Sequence, residues 1–588
     1  MKKEISPEDI LIDQLNLPSY DHSQLEGRII QPIPNYIFYI ISIFAIVIFS
    51  LFAINAYKLQ IVKGDFYQNK AENNRFDTTP IFSARGVIYD RNGTPLAWNE
   101  AASTTAIDNM QTRKYKSSNG IGNLLGYIKF PKKDKNGYFT SREVDAIGGI
   151  EKYYNTSLNG KSGFFYAETD SAGNVISQNI VDAPQNGKDL HLTIDYEIQS
   201  QLFETFRKAA AESNYNGGVA LIVDVNDGSI LASVTYPDFD ANVMLDGTDN
   251  DKISKYINDS RSVFLNRYTD GLYTPGSIVK PMFALAAMAE GIISPQDKIL
   301  STGKLVVPNP YNPGHDSVFK DWKAHGYTNV REAIAVSSDV YFYTVGGGVP
   351  GRKGLGITKL NEYAKYFGLD NLYKGTFFET RQSVIPNPEW KAKVFKGDIW
   401  RLGDTYNSSI GQYGFSVSPI QVLGMTTILA KDGKDVPVFK INKDEKTDFV
   451  KVNDKLRKIN PDLYKEISEG MRLTVTAGTA QALEFPGVKM AGKTGTAQTG
   501  NKNQFINSWF VGFWPYTEPR YAVVYMLEKG PSTNTHGAAY YLRDFLQKCA
   551  AYKCDLLNKN QSIDNNLNID IIPVKDTENE VIDNREIE

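Results

Sequence analysis

The hydrophobic pattern of this chain opens with one long apolar segment. Between Arg28 and Lys58 the sequence contains no charged residue, and residues 36–56 are almost wholly apolar. A helix that spans a bilayer needs about 20 such residues, so the pattern predicts a single membrane-spanning helix at residues 35–57. A cleaved signal peptide is disfavoured because the segment is preceded by mostly polar residues. Lysine and arginine lie on both sides and leave the orientation open.

Farther along, short stretches rich in β-branched residues alternate with apolar stretches of helical length. Residues 219–225 and 229–236 flank Asn226-Asp227-Gly228, which predicts a β-hairpin. The same reasoning predicts strands at 488–493, 508–513 and 521–527 and a closing helix at 538–551. This order of elements predicts an α/β (α+β) layout with an antiparallel sheet.

One predicted helix begins at a turn. Thr274-Pro275-Gly276 is typical of a turn, and the apolar run 282–288 follows closely. Pro281 is tolerated only in the first turn of a helix, which predicts that the helix begins near Ser277.

The length of 588 residues predicts two or more domains. Residues 1–34 are polar and are expected to form a cytoplasmic tail before the span at 35–57. Residues 58–213 form an expected extracytoplasmic region, and 214–556 form a second domain. Residues 557–588 are acidic and lack aromatic residues, a composition that predicts disorder.

Composition excludes several functions. The net charge of −3 gives no reason to expect nucleic acid binding. No P-loop or G-x-G-x-x-G fingerprint occurs, and the five histidines lack metal-ligand spacing, so neither a metal nor a cofactor is predicted. Cys549 and Cys554 form either a disulfide in an oxidising compartment or two small apolar positions on the last helix, and the sequence leaves both open.

Three short motifs carry the candidate chemistry. They are Ser277-Ile278-Val279-Lys280, Ser337-Ser338-Asp339 and Lys493-Thr494-Gly495-Thr496. A serine needs an adjacent base to act as a nucleophile, and residues at i and i+3 share one face of a helix. Lys280 is therefore expected to lie beside the hydroxyl of Ser277.

Each motif has a purely structural alternative when it is taken alone. S-x-x-K also occurs at Ser301 and Ser317, the residues around Ser337 suit a helix cap, and Lys493 suits the end of a strand. The order of all three motifs outweighs these alternatives, because the set is known from penicillin-binding proteins and class A β-lactamases.

With these motifs, residues 36–550 resemble class B penicillin-binding proteins, which are monofunctional peptidoglycan transpeptidases. R-G-V-I-Y-D-R-N-G at 85–93 and G-I-E-K-Y-Y at 149–154 resemble the pedestal of that family. Three further segments resemble the elongation-type branch of that family: F-K-D-W at 319–322, P-N-P-E-W-K at 386–391 and G-D-T-Y-N-S-S-I-G-Q at 403–412. The resemblance implies a mainly β pedestal at 58–213 with a reduced head. It also implies a β-lactamase-like transpeptidase domain at 214–556, with a five-stranded antiparallel sheet flanked by helices.

The resemblance also implies a role for each motif residue. Ser277 would attack the penultimate D-Ala carbonyl of a stem peptide, with neutral Lys280 as base and Lys493 as the nearby cation that favours this neutrality. Ser337 would relay protons and Asp339 would orient Lys280. The implied carboxylate clamp is Lys493, Thr494 and Thr496, the oxyanion hole is the N–H groups of Ser277 and Thr496, and Gly495 leaves room for the substrate backbone.

Two features depart from the family pattern. Asp339 stands where asparagine is more frequent, and the stretch between the pedestal motifs is short, which implies a reduced partner contact. Alternative functions are a D,D-carboxypeptidase, a β-lactamase or a non-catalytic scaffold. The pedestal and the predicted anchor disfavour a secreted β-lactamase, and no E-x-x-L-N motif follows the second motif.

Partners and location follow from the resemblance alone. It implies D-Ala-D-Ala stem peptides as substrate, β-lactams as inhibitors, and a SEDS-family glycosyltransferase with other elongation-complex membrane proteins as partners. It places the large domain in the periplasm or extracytoplasmic space, on a single-pass anchor in the cytoplasmic membrane.

Overall fold

The computed structural model describes residues 35–63, 77–100, 111–117, 119–133, 135, 139–141, 143–169, 175–309, 314–370, 373, 375–485, 488–500, 503–551, 554 and 556–557. The predicted tail at 1–34 lies outside these residues, as does the predicted acidic tail apart from Leu557. The chain forms two compact units, one of Met1–Thr79 with Phe165–Asn179 and one of Pro80–Phe164 with Ile180–Glu588.

The helices and strands alternate along the chain, and the mixed α+β class is confirmed. The helices are α1 (Asn35–Tyr57), α2 (Gly122–Leu125), α3 (Gly149–Tyr153), α4 (Asn155–Asn159), α5 (Tyr196–Ser213), α6 (Ala241–Asp246), α7 (Asn250–Asn258), α8 (Lys280–Ala289), α9 (Val330–Val336), α10 (Asp339–Gly347), α11 (Gly356–Tyr366), α12 (Pro388–Val394), α13 (Leu402–Ser409), α14 (Pro419–Ala430), α15 (Asp454–Arg457), α16 (Pro461–Thr476) and α17 (Ala538–Ala551). The strands are β1 (Asp77–Ile81), β2 (Ile88–Tyr89), β3 (Pro95–Glu100), β4 (Thr112–Tyr115), β5 (Tyr127–Lys129), β6 (Asp145–Ile147), β7 (Gly163–Thr169), β8 (Val175–Asp182), β9 (Leu190–His191), β10 (Gly217–Asp224), β11 (Ile230–Tyr236), β12 (Ile299–Ser301), β13 (Lys304–Val307), β14 (Ser317–Lys320), β15 (Gly326–Thr328), β16 (Val436–Pro437), β17 (Phe449–Val450), β18 (Ala491–Thr499), β19 (Phe505–Trp514) and β20 (Tyr521–Pro531).

Helix α1 of the first unit occupies the long apolar segment and continues into a π-helical turn, Lys58–Val62. Apolar side chains such as Ile43, Phe49 and Phe52 are exposed on it. Within the described part of the chain, no helix is both long and apolar enough to cross a membrane. The membrane span at 35–57 therefore stays a prediction.

In the second unit, the two predicted pedestal motifs meet in a buried ion-pair network. Glu151 accepts hydrogen bonds from Arg85 Nε at 2.6 Å and from Arg113 Nε at 3.0 Å. All three side chains are at most 5% exposed. Buried charges are costly unless they are paired, so these motif residues hold this region together rather than bind substrate.

The same region is tied to the rest of the second unit through Asp238, which follows β11. The carboxylate of Asp238 accepts hydrogen bonds from Gly122 N at 2.7 Å and from Asn123 N at 2.8 Å, at the start of α2. Burial raises the pKa of Asp238 to about 6, although these hydrogen bonds act in the opposite direction.

A five-stranded sheet in the order β11-β10-β20-β19-β18 forms the centre of the second unit, and every neighbouring pair is antiparallel. The predicted hairpin is β10–β11, and the predicted last helix is α17. Alternate residues of β10 enter two different cores: Val219, Leu221 and Val223 face one, whereas Ala220 and Ile222 face the other. This alternation is what a sheet covered on both faces requires.

Helices cover both faces of the sheet. One core contains apolar residues of α8 and α14, including Met282, Leu285 and Met425. The other contains residues of α5 and α17, including Leu202 and Phe545.

The strand predicted at 488–493 was placed too early. Pairing with β19 begins at Ala491, because the backbone before it folds on itself, with Met490 N donating to Val488 O at 3.1 Å. The third motif consequently lies inside a nine-residue strand at the sheet edge, not at a strand end.

The two cysteines, whose state the sequence left open, form a disulfide. Cys549 in α17 is joined to Cys554, with 5.2 Å between their Cα atoms.

Candidate active site

The Ser277 turn is a short 3-10 helix, Gly276–Val279, that continues directly into α8. Pro281 lies in the first turn of α8, as predicted. Gly276 has a φ of +59° and donates its N–H to Gly411 O at 3.0 Å. A Cβ on Gly411 would approach Gly276 O to 2.2 Å, so both glycines are required for this contact.

The other two S-x-x-K sequences lack this geometry. Ser301 ends β12 while Lys304 begins β13, and Ser317 and Lys320 both lie in β14. In a strand, residues three apart point to opposite faces, so Lys320 cannot assist Ser317.

Lys280 is fully buried and donates three hydrogen bonds. Its Nζ lies 2.7 Å from Ser337 O, 3.2 Å from Ser337 Oγ and 2.6 Å from Asp339 Oδ1. The first and second motifs are thus brought together as predicted. Three donated hydrogen bonds, one to a carboxylate, use every N–H of an ammonium group.

The neutral Lys280 that the resemblance implies stays a prediction. Next to it, the pKa of Lys493 is lowered, because its side chain is buried. The charge of Lys280 lowers the pKa of Lys493 further, while Asp339 opposes the effect.

The second motif lies at the junction of two helices. Ser337 ends α9 in the left-handed conformation, with a φ of +58°. Ser338 caps α10 by accepting the N–H of Tyr341, so Asp339 is the first residue of that helix. The predicted cap is therefore real, but it is formed by Ser338, which leaves Ser337 and Asp339 free to contact Lys280.

The third motif faces the Ser277 turn from the edge strand β18. A Cβ on Gly495 would lie 2.8 Å from Ile278 Cγ2 and 3.1 Å from Pro275 O. The packing of β18 on this turn therefore requires a glycine at position 495, and the space for a substrate backbone stays a prediction. A Cβ on Gly276 would lie 3.0 Å from Thr496 O, so Thr496 borders the nucleophile turn.

The predicted carboxylate clamp is partly accessible. Thr494 is half-buried and Thr496 is exposed, whereas the Lys493 side chain is buried and its Nζ donates to Thr494 O at 2.9 Å. A further residue joins this group: Thr479 Oγ1 lies 2.5 Å from Thr494 Oγ1. The small-residue sequence Thr476-Ala477-Gly478-Thr479-Ala480 gave no signal that would single out Thr479.

Behind the second motif lies Asp321, which the sequence singled out only as part of a resemblance. Its carboxylate is buried and accepts hydrogen bonds from Ser338 of the second motif and from Val340, which follows the motif. The side chain of His325 is buried next to Trp322, with ring centroids 5.0 Å apart. His536 is exposed and stacks on Tyr540.

The two elongation-type motifs at 386–391 and 403–412 meet in a second buried ion pair. Lys391 Nζ lies 2.6 Å from Asp404 Oδ2 and 3.1 Å from Asp398 Oδ2. Trp390 packs on Gly414, where a Cβ would approach the indole to 2.1 Å. These residues lie near Gly411, so they support the loop that holds the Ser277 turn.

Comparisons with known proteins agree with the geometry. The family model described as penicillin binding protein transpeptidase domain matches residues 218–547, and the one described as penicillin-binding protein dimerisation domain matches residues 103–192. The peptidoglycan D,D-transpeptidase MrdA of Haemophilus influenzae is 29% identical, over 86% of this chain and 91% of its own length. MrdA of Escherichia coli is 27% identical, over 81% of this chain and 88% of its own.

Solved structures show the same fold. The crystal structure of Pseudomonas aeruginosa PBP2 in complex with WCK 5153 has a TM-score of 0.64 at 26% identity, covering 82% of this chain and 99% of that chain. The complex of PBP2 and MreC from Helicobacter pylori has a TM-score of 0.66 at 23% identity, covering 82% and 99%.

Proposed function

The chain belongs to the penicillin-binding protein transpeptidase family, and on that premise we propose that it is a peptidoglycan D,D-transpeptidase that acts through an acyl-enzyme on Ser277. The observation that supports this most strongly is the meeting of the motifs at Lys280, which is bonded to Ser337 and Asp339 at 2.6–3.2 Å. The proposed reaction would serve cell-wall elongation. Its transpeptidase chemistry is supported by relatives named peptidoglycan D,D-transpeptidase MrdA, which align over 81% and 86% of this chain.

In the first half of the proposed reaction, Ser277 Oγ attacks the carbonyl carbon of the penultimate D-Ala. An ester bond to Ser277 forms and the amide bond to the terminal D-Ala breaks. The serine proton passes through Lys280 and Ser337 to the leaving amine, a route that the 3.2 Å contact between Lys280 Nζ and Ser337 Oγ supports.

In the second half, an amine of a neighbouring stem peptide attacks the ester. A new amide bond forms, the ester bond breaks, and the amine's proton returns to Ser277 Oγ along the same route. One amide bond is exchanged for another, so the cross-link requires no cofactor or external energy source.

The oxyanion that develops in both halves would be held by the N–H groups of Ser277 and Thr496. The close approach of Gly276 to Thr496 supports this pairing. A single donor of this kind typically contributes about 3 kcal/mol to transition-state stability.

The substrate carboxylate gives Lys493 a second role. Lys493, Thr494 and Thr496 would bind the terminal carboxylate, and an adjacent negative charge favours the charged form of Lys493. A charged Lys493 in turn disfavours charge on Lys280. Substrate binding would thus favour the neutral form of Lys280, which can act as the base.

The first test uses a pentapeptide donor ending in D-Ala-D-Ala and a labelled D-amino acid as acceptor. We expect the wild-type protein to exchange the terminal D-Ala for the label, and Ser277→Ala to give no product. Ser317→Ala is the matched control, because Ser317 belongs to an S-x-x-K sequence in a strand. Hydrolysis without exchange would favour the D,D-carboxypeptidase alternative.

The location and partners form the rest of the proposal. Helix α1 would anchor the protein in the cytoplasmic membrane, with the catalytic domain outside, because its apolar side chains are exposed. Glycan strands would come from a SEDS-family glycosyltransferase, with other elongation-complex membrane proteins as partners. Removal of residues 1–57 is expected to move the protein from the membrane to the soluble fraction after cell lysis, with Ser277 still reactive.

A further inference from the structure

We infer that Asp321 is a positioning residue of this active site: its buried carboxylate fixes the main chain on both sides of Asp339, so that Asp339 meets Lys280. The inference rests on the function proposed above and adds a residue from outside the three motifs. Asp321 follows β14, in the connection to β15, and its side chain is 0% exposed.

One oxygen of Asp321 holds the second motif. Oδ2 accepts the hydroxyl of Ser338 at 2.9 Å and the N–H of Val340 at 3.0 Å. These are the two neighbours of Asp339 in the chain. Asp321 Oδ2 therefore fixes the start of α10 and, with it, the point from which the Asp339 side chain projects.

The same carboxylate is itself fixed by other elements. Oδ2 accepts the hydroxyl of Ser301, the last residue of β12, at 3.0 Å. Oδ1 accepts the N–H of Trp322 at 2.9 Å and lies 3.4 Å from His325 Nε2. Contacts from β12 and from the connection between β14 and β15 thus hold both oxygens in place. The carboxylate cannot shift together with α10.

Charge strengthens this contact. Burial would raise the pKa of Asp321, but the nearby His325 imidazole and the hydrogen bonds from Val340 and Ser338 outweigh it and hold the pKa well below its usual range. An ionised acceptor forms shorter and stronger hydrogen bonds than a neutral one. An asparagine at this position has the same shape but offers one neutral amide oxygen and one NH2 donor, not two charged oxygens.

The position of α10 affects Lys280 through Asp339. Asp339 Oδ1 lies 2.6 Å from Lys280 Nζ, and a hydrogen bond weakens steeply when its geometry is lost. A shift of the start of α10 would loosen this contact and the relay through Ser337. Displacements of about 1 Å in a catalytic group can lower rates roughly 100-fold.

The test is a double-mutant cycle on the rate constant for acylation by a fluorescent penicillin, with Asp321→Asn, Asp339→Asn and the double variant. We expect Asp321→Asn to slow acylation roughly 10- to 100-fold in the wild-type background. In the Asp339→Asn background the same change should lower the acylation rate constant by no more than about threefold, because the residue through which Asp321 acts is already altered. Asp240→Asn is the control, since Asp240 caps α6 in the same way, by accepting Asn242 N at 2.9 Å, but touches no motif.

Equal losses in both backgrounds would overturn the inference, because Asp321 would then act independently of Asp339. The inference would also be overturned if Asp321→Asn were acylated as fast as the wild-type protein. If Asp321→Asn does not fold, Ser338→Ala removes one contact to the same oxygen and is measured in the same cycle. Failure of the proposed function is a separate result, since the wild-type protein would then show no acylation at Ser277.

Discussion

The hydroxyl groups of Thr479 and Thr494 lie 2.5 Å apart, which links the turn after α16 to the third motif. The main chain of Thr479 also contacts α9. Its N–H donates to the carbonyl oxygen of Ala335 at 3.2 Å, two residues before Ser337. Gly478 permits this approach, since a Cβ there would lie 2.3 Å from Ala335 O. Thr479 therefore connects the second and third motifs and fixes the hydroxyl that is proposed to bind the substrate carboxylate.

Replacement of Thr479 by valine should weaken substrate binding while leaving the fold intact. Valine keeps the shape but loses the hydrogen bond to Thr494, which is typically worth about 0.5–1.5 kcal/mol. We expect the efficiency of acylation by a D-Ala-D-Ala donor to fall roughly 3- to 10-fold, mainly through KM. Thr479→Ser keeps the hydroxyl and should retain most of the efficiency; equal losses in both variants would contradict this role.

Replacement of Gly495 by alanine tests the contact between the edge strand and the Ser277 turn. The added Cβ would stand 2.8 Å from Ile278 Cγ2, so the two elements must separate. We expect a loss of roughly 1–3 kcal/mol in the free energy of unfolding and a fall of roughly 100-fold in the acylation rate. Denaturant unfolding and penicillin acylation measure the two effects, with Gln498→Ala on the exposed side of the same strand as control. Unchanged acylation in Gly495→Ala would show that the contact does not position the nucleophile.

The raised pKa of Asp238, which connects α2 to the end of β11, predicts that the free energy of unfolding depends on pH. Its pKa is about 6 in the folded protein, because burial raises it, against about 3.9 in an unfolded chain. The folded state thus binds this proton more tightly, and the stability it contributes is full below about pH 4 and is lost as the pH rises through 6. The residue is partly exposed, so we expect a loss of about 1–2 kcal/mol relative to Asp238→Asn.

Urea unfolding of the wild-type protein and Asp238→Asn at pH 4, 5, 6 and 7 measures this difference. The wild-type protein should lose stability relative to the variant over this range. A difference that is independent of pH, or one that grows in favour of the wild type, would contradict the raised pKa.

Much of the site was predictable from local sequence, because its three motifs act through short-range geometry. The start of a helix next to Ser277, with Pro281 in its first turn, follows from helix stereochemistry alone, whereas the contact between Lys280 and the Ser277 hydroxyl stays a prediction. The hairpin β10–β11 and helix α17 were predictable for the same reason, since their turn residues and apolar periods are local signals.

What the sequence could not supply are contacts between residues far apart in the chain. The hydrogen bond from α10 to Asp321 depends on how β14 packs, and the hydrogen bond between Thr479 and Thr494 joins a turn to an edge strand. The packing constraint on Gly495 was not visible in the sequence either, because only the fold brings Ile278 against β18. The three acceptors around Lys280 likewise converge from the second motif, which lies far from Lys280 in the chain.

The most direct measurement of the central claim is intact-protein and peptide mass spectrometry after incubation with benzylpenicillin. The proposed transpeptidase predicts a stable adduct on the peptide that contains Ser277, absent in Ser277→Ala and present in Ser317→Ala. An adduct that forms and clears within seconds would identify a hydrolase, and a folded protein without any adduct would contradict catalysis by Ser277.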